Sequence, residues 1–175
     1  MLTKLTLISR SSWYWLALVV IGLSFEAVAL FYQHVLGEYP CVLCIHVRIW
    51  VLALIIVALA GMFLCRIRSL NALAHLSTII VAFGLLDRAY RLLGTERGFY
   101  NGDCGFDLGL PAWFALDDWF PAIFKVETSC GYTPELLFGI TMAEALIVIS
   151  AVLVLVSVTM TSISVFKGSG NQRFS

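Results

Sequence analysis

The chain alternates four long apolar runs with shorter polar stretches, the runs extending roughly from Trp13 to Tyr32, Leu43 to Leu64, Ala72 to Leu93 and Leu137 to Met160. Each supplies the ~20 residues an α-helix needs to cross a hydrocarbon core at about 1.5 Å per residue. A barrel strand uses only about 9 to 11 residues and alternates apolar with polar side chains, and these runs do neither. The pattern predicts an all-α protein, a bundle of four transmembrane helices forming one integral membrane domain over 1–175. Loops at 33–42 and 94–136 share one side, and a tail follows at 161–175.

Composition supports the bilayer as the surrounding solvent. The 175 residues are 61% hydrophobic and 13% charged, against soluble norms of about 45–50% and about 25%. A core of this size cannot hide so much apolar side chain, whereas lipid can solvate it. Lys plus Arg and Asp plus Glu each number 11, so no basic excess points to nucleic acid. Placement is more telling. Lys4 and Arg10, Arg66 and Arg68, and Lys167 and Arg173 mark segments without acids, whereas the two loops hold Glu38, Glu96, Asp103, Asp107, Asp117, Asp118, Glu127 and Glu135 against Arg97 and Lys125. The positive-inside rule places both termini in the cytoplasm and, in a bacterial inner membrane, both loops in the periplasm. Lys4, Arg10 and Ala27-Val28-Ala29 also mimic a cleaved signal peptide. The apolar run continues through Leu30, Phe31 and Tyr32, which favours a span.

Four of the five cysteines, Cys41, Cys44, Cys104 and Cys130, fall in or beside the two loops, and Cys65 lies on the other side. Disulfides persist in the periplasm and not in the cytosol, so Cys65 reads as a reduced, small apolar residue at a helix end. Pro40-Cys41-Val42-Leu43-Cys44 is a Cys-x-x-Cys at the start of span two, where unsatisfied N–H groups favour a thiolate; Pro40 suits a helix start. Zinc would take four sulfurs, but Cys104 and Cys130 lack knuckle spacing, and no metal is expected. Cys104 and Cys130 alone would read as a loop staple worth about 3 to 4 kcal/mol. The turn-rich Asn101-Gly102-Asp103-Cys104-Gly105 instead suggests a reachable sulfur, and two pairs on one face suggest thiol–disulfide exchange.

Ionisable residues gather at one depth. Counted inward from the loop side, Glu26, Arg48, Asp87, Arg88, Arg91 and Glu144 all fall roughly 5 to 12 Å below the surface. Such groups are costly in lipid and read as functional by default. Glu26 and Asp87 read first as charge pairs that fix helix packing. Arg48 stands four residues after Cys44, on the same helix face, where a cation stabilises a thiolate or a developing negative charge on an electron acceptor. His34 and His46 are candidate proton carriers or plain interfacial anchors, and His75 has no evident task. Leu110 to Pro121, dense in Trp and Phe, predicts a short amphipathic helix on the membrane surface.

Phe31-Tyr32-Gln33-His34-Val35, followed by Pro40-Cys41-Val42-Leu43-Cys44-Ile45 and Arg48, closely resembles the DsbB family of disulfide bond formation proteins. The resemblance extends over the span order, the paired loop cysteines, Pro111-Ala112-Trp113 and Leu116-Asp117-Asp118-Trp119-Phe120-Pro121. It implies an inner-membrane oxidoreductase that reoxidises a periplasmic DsbA-type thioredoxin-fold protein and passes electrons to a membrane quinone, ubiquinone or menaquinone. It further implies that the partner attacks a Cys104–Cys130 disulfide at Cys104. Cys130 then exchanges with the Cys41–Cys44 pair through Cys41, and Cys44 faces the quinone with Arg48. Gln33, His34 and Arg91 join Arg48 and Cys44 as implied quinone-site residues. Arg91 stands near where well-known members carry a His, Val47 replaces a familiar acid, and Thr141-Met142-Ala143-Glu144 replaces a Trp-containing start of span four.

The same residues also allow a branch of the family serving a dedicated thiol partner, or a structural membrane protein with inert disulfide staples or a zinc site. A vitamin K epoxide reductase-like enzyme also has four helices and a Cys-x-x-Cys, but there the motif falls late in the bundle.

Overall fold

A computed structural model describes residues 11–100, 105, 107–131, 133–137 and 139–170. The charge markers Lys4, Arg10 and Arg173 lie outside them. Four long helices, α1 (Ser12–His34), α2 (Val42–Leu64), α3 (Arg68–Glu96) and α6 (Met142–Gly170), are each long and apolar enough to cross a membrane. The fold is therefore a four-helix membrane bundle. α1 packs on α2, α2 on α3, and α3 on α6.

The helices overrun the apolar runs because a helix need not end where the hydrocarbon does. Polar Gln33 and His34 extend α1, and Thr95 and Glu96 extend α3. The fourth helix begins at Met142 rather than Leu137. Glu135–Leu137 (β1) and Ile140–Thr141 (β2) instead pair as a small antiparallel hairpin, turned at Gly139 with φ +76°. Thr141 caps the helix: its Oγ1 accepts from Glu144 N at 3.3 Å, and Glu144 Oε2 accepts from Thr141 N at 3.2 Å. This reciprocal Thr-x-x-Glu box satisfies two donors that a helix start would otherwise leave open. Glu144 thus belongs to the helix start and not to a layer two turns inside.

The predicted surface helix is broken into three pieces: a 3-10 turn at Ala112–Phe114, α4 (Leu116–Trp119) and α5 (Pro121–Phe124). Pro121 is the cause. A residue before proline is pushed out of the helical region, and Phe120 sits at φ −135°, ψ 65°. Trp113, Trp119 and Phe120 remain exposed.

Small residues let the helices approach closely, as they do in lipid, where apolar side chains alone supply little drive to associate. A Cβ on Gly61 would meet the Trp15 ring at 2.5 Å, and Trp15 is fully buried there. His75 finds a task at this end. It is fully buried and stacks on Trp15 at 4.7 Å between ring centres, while its carbonyl accepts from Thr161 Oγ1 at 3.2 Å, joining α3 to α6. Cys65, also buried, donates its thiol to the Met62 carbonyl at 3.2 Å.

Candidate redox site at the cysteine-bearing end

Cys41 is the N-cap of α2. Its extended backbone (φ −86°, ψ 169°) frees Sγ to accept from the Cys44 N–H at 3.3 Å, the bond an N-cap side chain makes. The geometry places Cys44 Sγ 2.8 Å from Cys41 Sγ. A third sulfur joins them from far along the chain. Cys41 forms a parallel bridge with Thr128, and Glu127 N donates to the Pro40 carbonyl at 3.1 Å. That pairing lays segment 126–130 beside the Cys-x-x-Cys and brings Cys130 into a hydrogen bond with Cys41. Cys104 lies outside the described residues.

The Cys130 hydrogen bond favours a thiolate on Cys41, but the hydrogen bond to Cys44, burial and charge on Cys44 together outweigh it. The Cys41 thiol is pushed up to about 12. Cys41 therefore holds its proton at neutral pH.

Arg48, one turn deeper, is only 6% exposed. Its Nη1 donates to Gln33 Oε1 at 2.5 Å and to the Ile123 carbonyl at 2.9 Å, and its Nη2 to the Ala29 carbonyl at 3.0 Å. Gln33 Nε2 reaches the neighbouring Ala122 carbonyl at 3.3 Å. Arg48 and Gln33 thus tie α5 down onto α1 and α2. His46 secures the loop elsewhere, with Nε2 donating to the Leu108 carbonyl at 3.0 Å. A guanidinium has five N–H donors, and these bonds use three.

Beside Cys44 and Arg48 opens a cavity with an empty volume of about 960 Å³, open space included. Its wall is mostly apolar, with Phe25, Val51, Leu92, Leu146 and Ile149 contributing, and Glu26, Cys44 and Arg48 bring chemistry to it. Gln33 acts on the site through Arg48. His34 is exposed, and neither it nor Arg91 lines the cavity. Arg91 instead reaches across the outer face of α3, with Nε 3.0 Å from Asp87 Oδ2 and Nη1 donating to Tyr100 Oη at 3.0 Å. Asp87 therefore pairs within its own helix on an exposed face and joins no second helix, unlike the packing charge expected from the sequence.

Glu26 forms no such pair. Among the described residues the ion pairs join Asp87 to Arg88 and Arg91, Glu144 to Arg97, and Glu127 to Lys125, and none includes Glu26. Sequence reasoning also missed Glu96, whose Oε2 accepts from Thr133 Oγ1 at 2.6 Å and Thr141 Oγ1 at 3.2 Å, fastening the loop's far end beside α6. The Thr-x-x-Glu spacing was a readable signal for Glu144. Glu96 offered none.

Apolar spans with clustered sulfurs at one end define a multi-pass membrane thiol–disulfide protein. Residues 11–160 match the family model for disulfide bond formation protein DsbB. Disulfide bond formation protein B 2 of Pseudomonas aeruginosa is 34% identical over 132 residues, covering 74% of this chain and 78% of that protein. Disulfide bond formation protein B of Shewanella loihica is 36% identical over 141 residues, covering 80% and 81%. The chain belongs to the DsbB family and is a disulfide-forming oxidoreductase of the membrane.

Proposed function

We propose that the protein reoxidises a periplasmic DsbA-type thioredoxin-fold protein and passes the electrons to a membrane quinone, ubiquinone or menaquinone, through Cys104, Cys130, Cys41 and Cys44. The observation that carries this reading is the meeting of Cys130 and Cys41 with Cys44, which itself lines an apolar cavity together with Arg48. In the proposed sequence the partner's thiolate attacks a Cys104–Cys130 disulfide at Cys104, and the thiolate released on Cys130 attacks Cys41 of an oxidised Cys41–Cys44 pair. Cys44 then leaves as a thiolate, one helical turn from Arg48.

The cavity suits a quinone because its wall is apolar enough for a ring in a lipid-soluble molecule, with a single fixed cation at hand. When bound, a quinone supplies a two-electron acceptor of high potential, which reoxidation of a strongly oxidising partner requires. Arg48, held by three acceptors, needs no reorganisation to meet negative charge as it develops. Gln33 keeps it aimed, and the apolar wall excludes water. In the membrane, the loops face the periplasm by the charge placement of the chain.

The test is quinone absorbance after a reduced DsbA-type protein is added to the purified chain, with Cys44→Ser and Cys104→Ser alongside. Catalytic loss of quinone in the parent and in neither variant is expected. No loss with either quinone would sink the reading.

A further inference from the structure

We propose that Glu26 exchanges a proton with the bound electron acceptor, an inference that rests on the quinone reading above. Glu26 is 8% exposed, lines the cavity with Cys44 and Arg48, and its Oε1 has no hydrogen-bond partner among the described residues. A buried carboxyl oxygen without a partner is costly in a structural role. Arg48 would have been the natural counter-ion, yet its guanidinium is engaged by Gln33, Ile123 and Ala29. Glu26 thus lines the space where an acceptor would sit, near enough to Arg48 to feel its charge but in no ion pair with it.

Other titratable groups on that wall are Cys44 and Arg48 from α2, Tyr32 from α1, and Glu38 and Tyr39 from the link between them; the parts contributed by α3, α6 and Pro134 are apolar. Arg48 has no proton to give at any ordinary pH. Tyr39 is 66% exposed and Glu38 only half-buried, so Glu26 is the one buried carboxyl in the wall.

Joining Cys41 and Cys44 breaks two S–H bonds and releases two electrons and two protons, while a quinone that takes both electrons gains two O–H bonds. Glu26 donates its carboxyl proton to one acceptor oxygen and takes up one of the protons the sulfurs release. It ends the turnover unchanged, and the sum is dithiol plus quinone giving disulfide plus quinol.

The experiment uses the full chain in lipid nanodiscs with ubiquinone-1, comparing the parent with Glu26→Gln and Glu26→Asp. Turnover should fall about 100-fold in Glu26→Gln, the scale of a lost proton-transfer group, while ubiquinone-1 affinity, measured separately at equilibrium, stays within about twofold of the parent. Glu26→Asp should recover much of the loss. Infrared difference spectra on reducing the bound quinone should show a carboxyl C=O band in the parent that is absent in Glu26→Gln and displaced in Glu26→Asp. Parent-like turnover in Glu26→Gln, or a loss of affinity that accounts for the whole effect, would overturn the proposal. If Glu26→Gln does not fold, 13C labelling of the glutamate carboxyls alone decides: the C=O band should shift with the label in the parent and not in Glu26→Asp, and a band that still shifts in Glu26→Asp overturns the proposal. A parent that reduces no quinone would overturn the quinone reading as well, an outcome distinct from an active parent matched by its variant.

Discussion

Arg48 and Arg91 lie at similar depth by helical rise, yet they live in different chemistry. Arg48 turns inward and is held by a side chain and two carbonyls, of Gln33, Ala29 and Ile123, the last 75 positions away. Arg91 turns outward, its side chain 38% exposed, and is held by Asp87 one turn back and by Tyr100. Depth follows from composition and helical rise, whereas facing depends on which neighbours pack alongside. An inward arginine fixed by distant groups positions a loop and a cavity; an outward one with a local counter-ion only neutralises its own surface.

The largest contrast should appear in proton affinity on the inward side. With its thiol pushed up to about 12, Cys41 stays protonated where an ordinary thiol would have ionised. Its alkylation in the reduced protein, followed by peptide mass spectrometry, should rise about a thousandfold from pH 7 to pH 10, against roughly ninetyfold for a thiol near 9. A plateau by pH 9 would contradict the burial and hydrogen bonding described. Next, Arg48→Leu should lower quinone reduction about 100-fold and destabilise the protein by about 2 kcal/mol, read as a lower Tm, because buried acceptors lose their donor.

Arg48→Lys keeps the charge but not the fork and should cost roughly tenfold in kcat/KM for quinone. Gln33→Ala should raise quinone KM by about fivefold through a less firmly aimed Arg48, an effect of about 1 kcal/mol. The outward side should respond least. Arg91→Leu should leave quinone kinetics within about twofold, as expected for an exposed pair; a tenfold loss would erase the distinction between the two arginines.

The four helices were legible because lipid demands long apolar stretches, a constraint carried by each segment alone. Their ends were less so. Leu137 is apolar enough to continue a span, but the Gly139 turn and the Thr141–Glu144 cap start α6 later. Cys-x-x-Cys at a helix start, and Arg48 one turn on, were local and could be read directly. The approach of Cys130 to Cys41 depends on pairing between Cys41 and Thr128, 87 positions apart, which no local pattern encodes. Glu26 illustrates the same limit. A carboxylate at the depth of an arginine suggested a pair, but Gln33 and two carbonyls already held that arginine, and facing could not be read from depth.

The two bonds from Arg48 and Gln33 to the carbonyls of Ile123 and Ala122 make α5 a latch between the loop and the bundle interior. A latch of this kind obeys thermodynamic reciprocity. Lifting Pro121–Phe124 would remove one of the three hydrogen bonds that hold the guanidinium, leaving those to Gln33 and Ala29, and a cavity ligand that took the Ile123 bond would compete for the hold on the loop. A cavity ligand that loosened that hold would itself be weakened by the loop's attachment by the same factor, which would make the pocket and the loop two ends of one lever.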